Sequence, residues 1–491
     1  VDASFVRIRS SDRGALYELS SYFTFKVPGH FYMPAFRNGT WDGTIRLFNS
    51  RDQTLPRGLL ARLLLFCADR GYDHDMSLVE AAEPKTEPMT VEQADEYIRS
   101  LKPTFKGQPL VPHRHQAEAL SMAMSDRRSV LLSPTSSGKS LVIYAWARYH
   151  ADNGRAVLVI VPNIGLVGQM AEDFIEYSSK SGWADKNCQI IMEGESKDVE
   201  RPVVISTWQS IYKMPASWFE QFEAIVGDEA HHFKAKSLGE IMGKCKTIHH
   251  RLAMTGTLDG TEVHRLTIEG HFGPVRTVTT TKELMEKDIV SHLRIHGILL
   301  QHPPKNVSAA REMSYAEEMR FLCEMDSRNK FIAMLVSMLE GNTLVLFQFI
   351  AHGKALVEAI QKACPGRTVR LVYGDVDSAE RMDARAEMED SDNAVIVASY
   401  PTFSTGISIR KLHNVVFASP FKSGIRLRQS IGRQLRKHPT KKKALLFDIG
   451  DSLVRDPTKS RANTTLKHFQ ARLAAYRDEN FEHVVRKVNL Q

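Results

Sequence analysis

The alternation of apolar and polar positions changes character along this chain. Up to about residue 78, short alternating runs such as Phe5-Val6-Arg7-Ile8-Arg9 and Thr44-Ile45-Arg46-Leu47-Phe48 are broken by Gly29, Pro34, Gly39 and Gly43. Brief period-two runs between turn formers predict short strands and hairpins, hence a small α+β module. Residues 69–99 then turn acidic, and Pro84, Pro88, Pro103 and Pro109 punctuate the stretch up to Val111, which predicts a boundary. Beyond it, short apolar runs alternate with longer helical segments. Runs at 129–132, 156–161, 203–206 and 224–226 form one series, and runs at 342–347, 369–372, 394–398, 414–418 and 443–447 form a second. A strand buried on both faces has no polar side to show, so this rhythm predicts parallel sheets covered by helices. The expectation is an α/β protein in three parts. Residues 1–105 form the N-terminal α+β module and linker, 106–282 a first parallel-sheet lobe, and 283–491 a second lobe with a C-terminal helical tail. Residues 465–488 are expected to form one amphipathic helix.

Composition narrows the class. A chain of 491 residues with 43% apolar content is too long for one core and needs no crosslinks. Cys67, Cys188, Cys245, Cys323 and Cys364 are scattered without a C-x-x-C pair, which speaks against a disulfide framework and a zinc site. No run approaches the ~18 apolar residues of a membrane span, so a soluble, cytoplasmic protein is expected. Residues 421–491 hold 17 Lys and Arg against 6 Asp and Glu, a balance of +11; the whole chain carries +8, so the remainder sums to −3. The basic excess is concentrated, as a polyanion-binding surface would require, although a solvated basic face has the same composition.

The chemistry begins at Ser133-Pro134-Thr135-Ser136-Ser137-Gly138-Lys139-Ser140, set between an apolar strand and a helical segment. Small residues there let successive N–H groups turn inward around phosphates, and the helix N-terminus adds its dipole. Lys139 reaches the β- and γ-oxygens, and the Ser140 hydroxyl can ligate Mg²⁺. Ser133 departs from the simple G-x-x-x-x-G-K-[ST] pattern, and alone the segment also reads as a turn with an exposed lysine. The strand at 224–226 runs into Asp228-Glu229-Ala230-His231, acids at the end of a sheet where open α/β folds hold ligands. Asp228 is placed to hold Mg²⁺ and Glu229 to orient or deprotonate the attacking water. The neighbouring histidines would also suit a metal hydrolase, but the H-E-x-x-H spacing is absent. In the second series, Gln429-Ser430-Ile431-Gly432-Arg433-Gln434-Leu435-Arg436 sets Arg433 and Arg436 three apart, on one helix face, as planar cations for a γ-phosphate. The run Lys441-Lys442-Lys443 is left unassigned, as a solvated turn before a strand.

Together these residues resemble the superfamily 2 helicases over about residues 110–450. The resemblance implies RecA-like lobes that bind ATP and Mg²⁺. Residues 133–140 correspond to motif I, 228–231 to a DEAH form of motif II, and 429–436 to motif VI. Gln116 resembles the glutamine that reads adenine. Pro162 to Gln169 resembles motif Ia, and Ser206-Thr207-Trp208-Gln209 a segment that touches the nucleic-acid backbone. Residues 254–257 resemble motif III, Phe347 falls in a motif IV-like strand, and 404–408 resemble motif V, with Thr405 toward the track and Gly406 toward the nucleotide. Ser136 and Ser408 depart from the residues many members carry. Residues 31–47, 398–400 and 403–408 are more closely similar to phage recombination and replication-fork DNA helicases. That similarity implies a monomeric motor in the host cytoplasm acting on branched DNA: forks, Holliday junctions, D-loops and R-loops, whose RNA is a further candidate partner. In the N-terminal module Phe31, Tyr32, Phe36 and Trp41 are either core or stacking residues, and Arg37 and Arg46 are the better candidates for DNA contact. A restriction-type motor subunit and a nucleic-acid annealing protein with a decayed ATPase are the competing readings.

Overall fold

The computed structural model describes residues 2–81, 88–232, 235–258, 261–374, 378–405, 409–422, 427, 430–432, 434–435, 437–438, 441, 443–454 and 462–490. The chain divides into two compact units, Val1–Thr279 and Thr280–Gln491.

The first unit opens with four short strands, β1 (Phe5–Arg7), β2 (Thr24–Lys26), β3 (Thr44–Arg46) and β4 (Thr54–Pro56). They pair antiparallel as β1–β4 and β2–β3, as the alternating runs predict. Their core holds Val6, Leu19, Phe23, Phe48, Leu55, Leu59, Leu63 and Phe66, and it also takes in Leu266 from the following lobe. Phe31 and Tyr32 are not in that core; they are 63% and 78% exposed. After the helix Val91–Ser100, a short hairpin of β5 (Thr104–Phe105) and β6 (Gln108–Pro109) enters the lobe. The helix is already part of it, because Ala94, Ile98 and Leu101 are buried in the same core as Leu120, Val159 and Val226.

The first lobe is a seven-stranded parallel sheet built from β7 (Arg128–Leu132), β8 (Val157–Val161), β9 (Cys188–Ile191), β10 (Val203–Thr207), β11 (Ala224–Asp228), β12 (His250–Thr255) and β13 (Val275–Thr277). Their order across the sheet is β13-β7-β12-β11-β8-β10-β9. β8 explains why the sheet forms. Val157, Val159 and Val161 face one apolar cluster while Leu158 and Ile160 face another, so every side chain is buried. Such a strand is stable only between two helical layers.

The N-terminal module is seated closely on this lobe. Ser4 Oγ lies 2.6 Å from Met242 O and 3.0 Å from Cys245 O, and the fully buried Arg251 donates to Ser4 Oγ at 2.8 Å. Arg62 makes two 3.2 Å hydrogen bonds to the Glu269 carboxylate. At Gly58 an added Cβ would meet Glu269 O at 2.0 Å, so only glycine allows this approach.

The second unit repeats the architecture with β14 (His292–Gln301), β15 (Thr343–Phe347), β16 (Val369–Val372), β17 (Val395–Ser399), β18 (Asn414–Phe417), β19 (Lys443–Ser452) and β20 (Glu482–Asn489), in the order β16-β17-β15-β18-β19-β14-β20. All its pairings are parallel. The expectation of one helix over 465–488 is corrected here. A helix runs Thr464–Asp478, Asn480 takes the left-handed conformation at φ 54°, and the chain returns as β20 beside β14. The β-branched Val484, Val485 and Val488 suit a strand, and the charges between them suit a sheet edge. Among the described residues no helix is long and apolar enough to cross a membrane.

Candidate active site

The loop between β7 and the helix Lys139–Asp152 closes on itself. Ser133 Oγ and Ser137 Oγ are 2.7 Å apart, so the serine standing where the simple motif has glycine becomes a clasp across the loop. Ser136 has φ 70° and Gly138 φ 80°, both left-handed. At Ser136, where many superfamily members carry glycine, the side chain is held in a conformation that costs about 1–2 kcal/mol. Gly138 also leaves room for Gln116, because a Cβ there would lie 2.2 Å from Gln116 Nε2 and displace the amide from its hydrogen bonds.

Gln116 is a buried prop for this loop. Its Nε2 donates to Ser137 O at 3.2 Å and Gly138 O at 3.3 Å, while its Oε1 accepts from His113 N at 2.8 Å. His115 Nε2 lies 2.7 Å from Ser137 O and supports the same carbonyl, a role its sequence did not signal. Pro134 and Thr135 line the half-buried rim, and Gly256 brings the end of β12 to the loop, its Cβ position 3.4 Å from Thr135 N. Ser140 Oγ is 2.8 Å from the Tyr177 hydroxyl, a second contact with no sequence signature.

β11 delivers the acids. Lys139 Nζ lies 3.3 Å from Glu229 Oε1 and 3.4 Å from Ser133 O, so the loop lysine spans the gap to the acid pair. Glu229 sits at φ 46°. Burial raises the Asp228 carboxyl above its usual range, and the adjoining Glu229 charge adds to the effect. Burial also opposes charge on Glu229, but Lys139 and His231 outweigh it and hold that carboxyl low. The two acids are thereby pushed apart, Glu229 charged and Asp228 in need of a cation. His231, lowered to about 4 by burial, is neutral at pH 7. Its Nδ1 lies 2.5 Å from Thr255 Oγ1, which donates to Thr257 O at 2.9 Å. The acid pair is thus wired to the end of β12.

The donor set suits Mg²⁺. Ser140 and Asp228 offer hard oxygens, and a divalent cation would relieve the buried, raised carboxyl of Asp228. No group of three or more His, Cys, Asp or Glu among the described residues could hold a metal by itself, and Mg²⁺ characteristically completes its shell with phosphate oxygens and water.

The remaining candidates are dispersed. Ser206 is fully buried with its hydroxyl 2.7 Å from Ile191 O, and Thr207 caps the helix Trp208–Ile211 through Ser210 N at 3.2 Å. Gln209 Nε2 donates to Pro162 O at 3.1 Å, which joins the two segments expected on the nucleic-acid track; Gln169 is half-buried on the helix Ile164–Tyr177. In the N-terminal module Arg37 Nε donates to Phe31 O at 3.2 Å, and Arg46 is paired with Asp42. Thr405 ends the helix Tyr400–Thr405. Gly406, Gln429, Arg433 and Arg436 lie outside the described residues.

Comparison with known proteins agrees with these parts. Residues 1–77 match the family described as DNA helicase UvsW, N-terminal; residues 108–260 match Type III restriction enzyme, res subunit; residues 327–438 match Helicase conserved C-terminal domain. The chain is 34% identical over 504 residues to the ATP-dependent DNA helicase uvsW of Enterobacteria phage T4, covering 100% of this chain and 98% of that protein. The crystal structure of T4 UvsW matches at 32% identity with a TM-score of 0.51, covering 100% of this chain and 99% of the other. A DNA 3'-5' translocase, XPB2 of Sulfurisphaera tokodaii, is 23% identical over 373 residues, 68% of this chain and 80% of its own.

Proposed function

The chain belongs to the UvsW family of superfamily 2 helicases, and from that premise we propose that it is an ATP-dependent DNA motor. Its substrates are branched DNA: forks, Holliday junctions, D-loops and R-loops met in recombination, repair and replication. One observation carries the ATPase reading. Lys139, Glu229, His231 and Thr255 form a continuous chain of polar contacts from the phosphate loop to the end of β12.

In this reading Lys139 leaves Glu229 for the β- and γ-phosphates when ATP enters the loop. Glu229, freed and charged, orients the attacking water and receives its proton. Ser140 and Asp228 would hold Mg²⁺, which would supply charge neutralisation at the phosphates. His231 and Thr255 carry the change of state at Glu229 to the 255–257 turn. Gln429, Arg433 and Arg436 act on the γ-phosphate from the second lobe, and Gly406 contacts the nucleotide. Gln116 acts on the nucleotide through the loop it supports. The division expected at 105 and 282 sets an N-terminal module before two motor lobes, with the helix Val91–Ser100 packing as part of the first lobe.

The DNA grip involves Pro162, Gln169, Ser206, Thr207, Trp208, Gln209 and Thr405. Ser206 and Thr207 are buried with their hydroxyls engaged inside the fold, so they serve the grip by positioning the 206–209 segment. In the N-terminal module the exposed Phe31 and Tyr32 suit stacking on unpaired bases, with Arg37, bonded to the Phe31 carbonyl, and Arg46 as further DNA contacts. A match to the UvsW N-terminal family over residues 1–77 favours this over a restriction-type motor. The test is ATP hydrolysis and strand separation on a fork, a four-way junction, an R-loop and a linear duplex at fixed salt. Preference for the first three supports branched-DNA remodelling; equal action on all four reduces the protein to a generic translocase.

A further inference from the structure

The lysine run at 441–443 looks like solvated surface in sequence, yet Lys441 is only 5% exposed. Its Nζ donates to Gln434 O at 2.6 Å and to Arg410 O at 3.2 Å. Those carbonyls belong to two different segments, one inside motif VI and one two residues beyond motif V. Gln434 lies in the helical stretch of motif VI, between positions 433 and 436, and Arg410 closes the stretch that begins with motif V at 404–408.

Gln434 is itself locked from below. It is fully buried, and its Nε2 donates to Leu445 O at 2.6 Å and His413 O at 3.2 Å, carbonyls at adjacent positions of β19 and the lead-in to β18. Ile431 and Leu435 are buried on the same side, and Ser291 N donates to Leu435 O at 2.8 Å. The helical stretch is thus fixed to the sheet through Ile431, Gln434 and Leu435. A lysine that only capped the end of this helix would need one carbonyl and could stay in water. Burying the ammonium is costly, and here it spans to a second segment.

We propose that Lys441 and Gln434 form a strut between motif V and motif VI, acting as positioning residues that make the setting of the arginine pair depend on DNA held at motif V. The proposal rests on the reading of Arg433 and Arg436 as γ-phosphate ligands. Neither strut residue touches substrate; both act through the helix they hold.

The experiment uses the full chain and measures affinity for ADP and for ADP–aluminium fluoride, with and without a single-stranded oligonucleotide. In the unmodified protein DNA should tighten ADP–aluminium fluoride relative to ADP. In Lys441→Met that tightening should shrink at least fivefold while ADP affinity stays within twofold, and Lys441→Arg should restore it. A merely structural role would move both ligands together. Unchanged tightening in Lys441→Met overturns the strut. Should Lys441→Met no longer bind ADP, Gln434→Leu carries the test with the same expected loss, and unchanged tightening there overturns it. Arg433→Ala separates the two readings. If Arg433→Ala leaves the tightening intact, the arginine reading falls and the strut with it; if Arg433→Ala abolishes it and Lys441→Met does not, the strut falls alone.

Discussion

The two lobes share a seven-stranded parallel sheet but treat their ionisable groups in opposite ways. In the first lobe, two acids stand side by side at the end of β11, Ser136 and Glu229 occupy left-handed backbone, and Lys139 from the loop steadies Glu229. In the second lobe three buried acids, Asp451, Asp448 and Glu318, are each paired and sealed. Arg328 makes two hydrogen bonds to Asp451 at 2.9 and 3.0 Å, and His302 adds a third at 2.9 Å. Arg472 and Tyr476 close on Asp448, and Glu318 receives Thr464 N, Thr465 N and Asn463 Nδ2 at the start of the last helix. Burial alone would raise Asp451, but Arg328 and His302 hold it far below the usual carboxylate range. Around β11 charge is left open where a ligand would arrive; around these three acids it is committed to rigidity. A lever needs both.

Breaking a sealed pair should give the largest effect. Arg328→Met leaves Asp451 buried with most of its charge unpaired, a cost of about 3–5 kcal/mol. The expected outcome is a fall of roughly 10 °C in the melting of the second unit by calorimetry, and an unchanged melting curve would show that the pair contributes little. The mirror experiment in the first lobe moves activity instead. Lys139→Ala should lower DNA-stimulated phosphate release about 100- to 1,000-fold, or roughly 3–4 kcal/mol on the barrier, while the melting temperature holds within a few degrees. A comparable loss of stability would erase the contrast.

Acid should act on both lobes alike. His271 in the first and His352 in the second are each lowered to about 3 by burial, with Arg251 and Arg328 respectively adding to the shift. Because the folded pKa lies below the unfolded value, the unfolded chain takes up the proton first. Stability is therefore complete above about pH 6.5 and lost as pH falls toward 3. At pH 5 each such histidine costs about 2 kcal/mol, so His352→Gln should flatten the acid dependence of the second unit by that amount in denaturant titrations at pH 7 and pH 5. The smallest effect belongs to Ser136→Gly. Relief of the left-handed serine and the added freedom of the unfolded chain nearly cancel, so stability should change by less than about 1 kcal/mol with hydrolysis retained. A large loss of activity would mean that the Ser136 side chain itself meets the nucleotide.

What could be read in the sequence follows from distance along the chain. The loop at 133–140 and the acids at 228–229 are contiguous, and each follows a run of apolar residues, so strand, ligand and helix announce one another. The sealed pairs could not be found this way: Arg328 and Asp451 are separated by 123 positions, and nothing near either names the other. Lys441 was misjudged for a related reason, since three lysines in a row look like surface until the carbonyls of Gln434 and Arg410 are seen around one of them. For Phe31 and Tyr32 the composition suits core and surface equally, and only the packing of Phe23, Phe48 and Phe66 decides. β20 was hidden because an edge strand carrying Arg486 and Lys487 keeps the polarity of a helix tail.

The contact at Gly58 bears on how this protein can be taken apart. A chain begun after the first family segment would strip the cover from Leu266, leave the Glu269 carboxylate without Arg62, and leave the buried Arg251 guanidinium short of the Ser4 hydroxyl. The shortened protein would show solvent a greasy floor beside a cation stripped of one partner, and it should clump before it could reveal what its missing portion does. Point changes on the outer face of that portion, at Phe31 or Tyr32, are the gentler instrument.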